Sequence, residues 1–237
     1  MNFNESLFLE NITALGLSVT DKQIEKLDRF AEMLVEKNKV MNLTAITDWD
    51  GIAVKHFADS LSVLKVKDIK DNSKVLDLGT GAGFPGIPLL IVKNSLDLTF
   101  IDSTAKKLTF VSGSIANLGL KAEVLHSRAE DAAKNIKYRE KYDIVVSRAV
   151  AAMNILCEYC LPFVRVGGKF IAMKGAQADQ ELRQAYTAIE TLGGKIADTV
   201  TFSLSDGGER TLVVVEKTKP TPQNYPRVSA QISKKPL

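Results

Sequence analysis

Three glycines at alternate positions, Gly79, Gly81 and Gly83, follow a carboxylate two residues upstream, Asp77, in the segment Val75-Leu76-Asp77-Leu78-Gly79-Thr80-Gly81-Ala82-Gly83-Phe84-Pro85-Gly86-Ile87-Pro88. The apolar run before the glycines reads as a buried strand entering a tight turn. Glycine is required where φ must be positive, or where backbone approaches a ligand with no side chain between. Pro88 suits the first turn of a following helix, where a missing N–H is harmless. The chemistry on offer is capture of a nucleotide-bearing cofactor at a strand–turn–helix junction, with Asp77 able to hold a cationic or amine group. A glycine-rich turn without a ligand is the plain alternative.

Two cofactors fit the spacing. Gly81, Gly83 and Gly86 match G-x-G-x-x-G, the dinucleotide fingerprint. The stretch from Asp77 also matches D-x-G-x-G-x-G, which resembles the first motif of class I S-adenosylmethionine-dependent methyltransferases. The second is favoured, because a dinucleotide binder keeps its strand apolar where Asp77 stands. The methionine end of S-adenosylmethionine carries an ammonium and a sulfonium, both suited to a carboxylate.

These residues need a sheet to position them. From Ser73 the chain alternates strand-like runs (Lys74–Leu78, Leu98–Ile101, Ala122–His126, Tyr142–Ser147, Gly168–Met173) with helix-like segments (Gly86–Val92, Ala105–Leu118, Ala129–Lys134, Met153–Leu161, Ala178–Leu192), the pattern of an α/β fold. Lys195–Leu204 and Thr211–Lys217, joined by Ser205-Asp206-Gly207-Gly208, read as an antiparallel hairpin. Five alternating units closed by such a hairpin are the arrangement of the seven-stranded methyltransferase sheet. Residues 1–70 read as a helical cap, with a capping box at Thr20 and Gln23, apolar residues at helical spacing from Ile24 to Val35, and a third helix over Trp49 to Leu64. The expected division is a cap at 1–70, a methyltransferase domain at 71–217 and a basic tail at 218–237.

Ligands of open α/β sheets bind beyond the carboxyl ends of the strands. Gly79 to Phe84 follow the first strand, and Phe84 serves as a pocket wall or as core. Asp102 follows the second, as a ribose ligand or as a helix cap. Ala129 and Glu130 follow the third, to read an adenine edge, with Glu130 alternatively a first-turn acid favouring the helix dipole. Ser147-Arg148-Ala149-Val150 follows the fourth and Lys174-Gly175 the fifth. Lys106, Lys107, Arg128, Arg148 and Lys174 together suggest a positive rim suited to a phosphodiester backbone. Arg210 and Arg227 are added as RNA-binding candidates. Enzymes that methylate exocyclic amines of adenine or cytosine carry acceptors in an Asn/Asp-Pro-Pro-aromatic motif after the fourth strand. An arginine there instead fits a target presenting acceptors, such as the O6 and N7 edge of guanine.

Composition sets the outer limits. The chain has 237 residues, 45% hydrophobic and 25% charged, as expected of a soluble globular protein with one large domain. Its net charge of +3 is too small to announce nucleic-acid binding. No apolar run of about 18 residues predicts a membrane span, and no secretory signal opens the chain. A cytoplasmic monomer is expected. The last 21 residues, from Lys217, hold five basic and no acidic side chains. Pro220, Pro222, Pro226 and Pro236 argue against regular structure there, leaving a phosphate-seeking arm or a solvated terminus. Cys157 and Cys160 form a C-x-x-C without a second pair, so they are read as thiols on a helix face and no metal is expected. His56, Asp59 and Ser60 are too close in sequence for a hydrolytic triad. They either face the substrate or bond the cap to the sheet.

The chain resembles the GidB (RsmG) family of bacterial 16S rRNA guanine-N7 methyltransferases. The matching segments are Met41-Asn42-Leu43-Thr44-Ala45-Ile46, Lys55-His56-Phe57-Ala58-Asp59-Ser60-Leu61, Asp77 through Pro88, Ser127-Arg128-Ala129-Glu130, Ser147-Arg148-Ala149-Val150-Ala151, and Pro220-Thr221-Pro222 with Tyr225-Pro226-Arg227. The resemblance implies S-adenosylmethionine as cofactor, with Gly79, Phe84, Ala129, Glu130 and Arg148 binding it. It also implies methylation of N7 of a guanine, guanine 527, in the decoding-centre loop of 16S rRNA, free or in a small subunit under assembly. That nitrogen offers an in-plane lone pair, so in-line displacement needs alignment and no general base. Arg148 and Lys174 are the positioning candidates. Methylation of another substrate, a cofactor-binding RNA module without turnover, and a nicotinamide-dependent oxidoreductase remain the alternatives.

Overall fold

The computed structural model describes residues 2–237. Its centre is a seven-stranded sheet in the order β3-β2-β1-β4-β5-β7-β6, in which only β7 runs antiparallel to its neighbours. Helix α1 (Glu5–Ala14) and α2 (Asp21–Met41) precede it. Next come α3 (Trp49–Gly51), a π-helical segment (Ile52–Ala58), α4 (Asp59–Leu61) and a 3-10 turn (Ser62–Lys65). The expected third helix is therefore present, but wound in three ways. The sheet region runs β1 (Lys74–Leu78), α5 (Gly86–Val92), β2 (Asp97–Asp102), α6 (Ala105–Asn117), β3 (Glu123–His126), α7 (Ala129–Ala132), β4 (Tyr142–Arg148), α8 (Met153–Cys160), β5 (Val164–Lys174), α9 (Ala178–Thr191), β6 (Gly194–Ser203), β7 (Glu209–Lys217) and α10 (Ser229–Lys234).

Side-chain alternation along the buried strands builds two cores. Val75, Leu98, Phe100, Ile144, Val146 and Ile171 face one side, while Leu76, Leu78, Ile101, Val145, Phe170 and Ala172 face the other. The first side is covered by α1, α2, α5 and α6, so the N-terminal helices share the core of the sheet: Phe30 of α2 stands 5.3 Å from Phe84 and 6.1 Å from Phe110. The Thr20–Gln23 pairing forms, with the Thr20 N–H donating to Gln23 Oε1 at 2.8 Å. The same side chain donates to the Val92 carbonyl at 2.8 Å, tying the cap to α5.

One expectation needs correcting. The tail carries regular structure, because the nine residues between Pro226 and Pro236 leave room for α10. Among the described residues, no helix is long and apolar enough to cross a membrane.

Candidate active site

Strand order reverses between β1 and β4, where β2 and β3 lie to one side and β5 to the other. Such a switch point opens a crevice at the strand carboxyl ends. The loop after β1 and the segment after β4 meet there. Gly79 adopts φ +71°, and a Cβ on it would sit 2.4 Å from Val150 Cγ2, so backbone and side chain touch only because this residue is glycine. Across the contact, Ala149 holds a φ of +56°, a strained choice for a residue with a Cβ and one that collects at functional sites.

Two cavities flank this contact. The first, of about 340 Å³, is lined by Gly79, Asp102, Lys107, Ala129 and Glu130, together with Tyr159 and Ser229. The second, of about 540 Å³, is lined by Asp59, Arg148, Lys174, Glu181 and Arg210. Ala149 and Val150 border both. Each volume falls in the range of small-ligand sites. The residues expected to bind a cofactor thus divide: Gly79, Asp102, Ala129 and Glu130 share the first cavity, whereas Arg148 stands in the second. The Asp102 carboxylate accepts from Gly81 N–H at 3.0 Å and from Thr104 N–H at 2.8 Å. It therefore braces the glycine loop and the start of α6, and still lines the cavity.

Asp77 lies deeper. Its side chain points to the core side of β1, fully buried, where Oδ2 accepts from Thr80 Oγ1 at 2.6 Å and Gly86 N–H at 2.8 Å. Oδ1 has no partner. Burial outweighs these two bonds and raises the carboxyl to about 6. An orphaned, desolvated oxygen fits a ligand that brings positive charge. The glycine loop and Asp77 therefore suit the S-adenosylmethionine expected from sequence. The junction has no room to spare: a Cβ on Gly86 would come 2.3 Å from Phe100 Cε1 and 2.7 Å from Asp77 Oδ2. Gly86→Ala is expected to cost about 1–3 kcal/mol in urea unfolding, the usual penalty of overpacking. An unchanged midpoint would mean that β2 and α5 yield freely.

Phe84 is 5% exposed and sits among core aromatics. The His56 ring stacks on it at 4.2 Å and 10°, and the Arg148 guanidinium lies 5.0 Å from its centroid. Arg148 donates to Asp59 Oδ2 at 2.8 Å, to the Lys55 carbonyl at 3.0 Å and to His56 Nδ1 at 3.3 Å. An arginine can only donate, so Nδ1 accepts and the ring proton sits on Nε2, directed at Thr44 Oγ1 2.8 Å away. Burial, reinforced by Arg148, lowers the imidazole to about 3 and keeps it neutral. The π-helical segment supplies Lys55 and His56, and Asp59 follows immediately. Single-turn π segments recur at functional sites. His56 and Asp59 both bond the cap to the sheet, and Asp59 also faces the second cavity.

The cationic rim exists but is partly neutralised. Arg148 and Arg210 share Asp59, and Arg210 adds Asp206 at 2.8 Å. Lys174 pairs with Glu181 at 2.7 Å, and Arg227 with Glu158 at 2.6 Å. Among the described residues, Lys106, Lys107 and Arg128 have no ion-pair partner and remain available to a polyanion. Sequence reasoning does not reach the carboxylates Asp59, Asp206, Glu158 and Glu181 as partners of these cations, since nothing local in the chain marks the pairing. Cys157 and Cys160 are buried free thiols pushed upward by burial, and no metal-binding group of His, Cys, Asp or Glu occurs among the described residues.

Comparison with known proteins agrees with this architecture. The structure superposes on an S-adenosylmethionine-dependent methyltransferase from Aquifex aeolicus with a TM-score of 0.50 at 19% identity, covering 66% of this chain and 89% of that one; the shared fold is class I. The ribosomal RNA small subunit methyltransferase G of Lachnoclostridium phytofermentans is 45% identical over 99% of this chain and 98% of its own length. Its counterpart in Brevibacillus brevis is 46% identical over 97% and 98%. The family model described as rRNA small subunit methyltransferase G matches residues 23–213. On sequence and fold together, the chain belongs to the rRNA small subunit methyltransferase G family.

Proposed function

We propose that this chain methylates small-subunit ribosomal RNA, and that the accepting atom is N7 of a guanine, guanine 527 of the decoding-centre loop. S-adenosylmethionine is the cofactor, and when bound it supplies an electrophilic methyl on a sulfonium. The first cavity is read as its nucleoside site, with Asp102 toward the ribose and Ala129 with Glu130 toward the adenine. Asp77 then provides negative charge behind the glycine loop. The second cavity is read as the entry for the target base.

The observation that carries the reading is that, among the described residues lining the second cavity, every carboxylate is engaged by a cation. Asp59 and Glu181 are ion-paired, and Arg148 and Lys174 are cations. His56, behind them, uses both ring nitrogens and has little proton affinity. With both of its carboxylates engaged by cations, such a site is not arranged around a free general base. It suits a nucleophile that already presents a lone pair. Arg148 and its neighbours hold the base in line, and alignment supplies the rate. The exposed Lys106 and Arg128, with the half-buried Lys107 beside them, draw in the RNA backbone.

The test is transfer of labelled methyl from S-adenosylmethionine to 16S rRNA, free and in small subunits, with the modified base mapped. One 7-methylguanine is expected at the decoding-centre loop, with kcat level from about pH 7 to 9. A product on an exocyclic amine or a sugar hydroxyl, or a kcat that rises with a single ionisation in that range, would overturn the N7 reading. Cofactor binding without transfer to any rRNA would move the substrate assignment to another acceptor.

A further inference from the structure

The segment after β7 is docked by three separate anchors. The Arg227 guanidinium gives three hydrogen bonds of 2.6 to 3.2 Å to the carboxylate of Glu158, and the Arg227 N–H adds a fourth at 2.8 Å. Glu158 is fully buried on α8. Arg139 donates to the carbonyls of Thr221, Pro222 and Tyr225 at 2.8, 3.2 and 2.8 Å. Glu140 accepts from Thr221 N–H at 2.7 Å and from the buried Lys217 ammonium at 3.1 Å. A buried carboxylate persists only when paired and hydrogen-bonded, so Glu158 selects the docked tail over a free one. Ile232 of α10 is buried, and Tyr225 and Leu237 pack on the second core. A loose phosphate-seeking arm does not match this arrangement, since Arg227 is committed to Glu158.

Docking sets α10 against α8, the helix that also packs on α7. The result is that Ser229, from the tail, lines the first cavity together with Asp102, Ala129 and Glu130. Its Oγ lies 2.9 Å from the Tyr159 hydroxyl, which lines the same cavity. Two hydroxyls bonded to each other use one donor and one lone pair, leaving one O–H and further lone pairs unused. That combination suits the edge of a heterocycle bearing both ring-nitrogen acceptors and an amino donor.

We propose that residues 218–237 are a built wall of the cofactor pocket, in which Ser229 and Tyr159 close the adenine end, so that affinity for S-adenosylmethionine depends on the tail being docked. This rests on the reading of the first cavity as the cofactor's nucleoside site. The tail then acts in cofactor binding, and its Arg227 serves as an anchor to Glu158.

Two measurements on the full chain test it. In calorimetric titration with S-adenosylmethionine, Ser229→Phe places a ring in the cavity and is expected to raise Kd at least tenfold. Gln231→Phe, at an exposed position of the same helix, is expected to stay within about twofold of the parent. Independently of any variant, tryptic cleavage after Arg227 requires the tail to undock. Saturating S-adenosylmethionine is expected to slow that cleavage at least fivefold, because a ligand that binds only the docked form stabilises it. Parent-like affinity in a folded Ser229→Phe chain, or cleavage after Arg227 that ignores the cofactor, overturns the wall and leaves the cofactor reading standing. No binding of S-adenosylmethionine by the parent chain overturns both.

Discussion

Asp59→Ala is expected to lower kcat/KM for rRNA methylation about 100-fold and to destabilise the chain by about 2–4 kcal/mol. One carboxylate holds two guanidiniums that come from different parts of the sheet: Oδ2 accepts from Arg148 at 2.8 Å and Oδ1 from Arg210 at 3.1 Å. Removing one partner of a buried pair costs ~3–5 kcal/mol, because the other charge is stranded. Here the arginine side chains retain 15% and 20% exposure, and water recovers part of that loss. The kinetic effect is separate. Arg148 stands beside the segment that divides the two cavities, and a displacement of about 1 Å in a positioning group can cost ~10² in rate. Steady-state kinetics and urea unfolding read the two effects independently. Asp59→Asn, which keeps one acceptor oxygen, is expected to fall between parent and alanine variant in both. Parent-like kcat/KM in a folded Asp59→Ala chain would remove the ion triad from the account of positioning.

Asp77→Asn is expected to change stability and cofactor affinity in opposite directions. The folded carboxyl titrates at about 6 against an ordinary 3.8. Between those values the folded state binds more protons than the unfolded one, so stability falls as pH rises through the window and is level above it. A shift of this size corresponds to about 3 kcal/mol of destabilisation at neutral pH, as an order of magnitude. An asparagine keeps a carbonyl oxygen for Thr80 and Gly86 while removing the desolvated charge. It is therefore expected to be more stable than the parent at pH 7.5 by about 1–2 kcal/mol, the remainder being offset by an unpaired amide N–H₂. With the counter-charge gone, Kd for S-adenosylmethionine is expected to rise at least tenfold. In the parent, affinity is expected to increase with pH up to about 6 and then level, with proton release on binding below 6. The variant is expected to show neither. Thermal melts and calorimetry in buffers of different ionisation enthalpy supply both readouts, and equal affinity of parent and variant at pH 7.5 would remove Asp77 from the cofactor site.

The sequence by itself determined the periodic and the local. Short strand-like runs alternating with helix-like segments placed all seven strands, the glycine run marked the turn after β1, and Thr20 with Gln23 marked the start of α2, because each signal lies within a few residues of the structure it specifies. Position just beyond a strand's carboxyl end also singled out Gly79, Asp102, Ala129 and Glu130, which the fold brings to one cavity. Only the tertiary structure decided which charges stay free. Arg148 meets Asp59 across 89 positions of sequence, Arg210 meets the same carboxylate across 151, and Arg227 meets Glu158 across 69. His56 acquires its stacking on Phe84 in the same way. A side chain's type fixes its charge and its donors. Its partner is fixed by how strands are ordered and helices laid over them, which no short-range pattern records. The cationic rim and the basic tail were therefore legible as composition, while their division into ion-paired anchors and accessible cations came from packing alone.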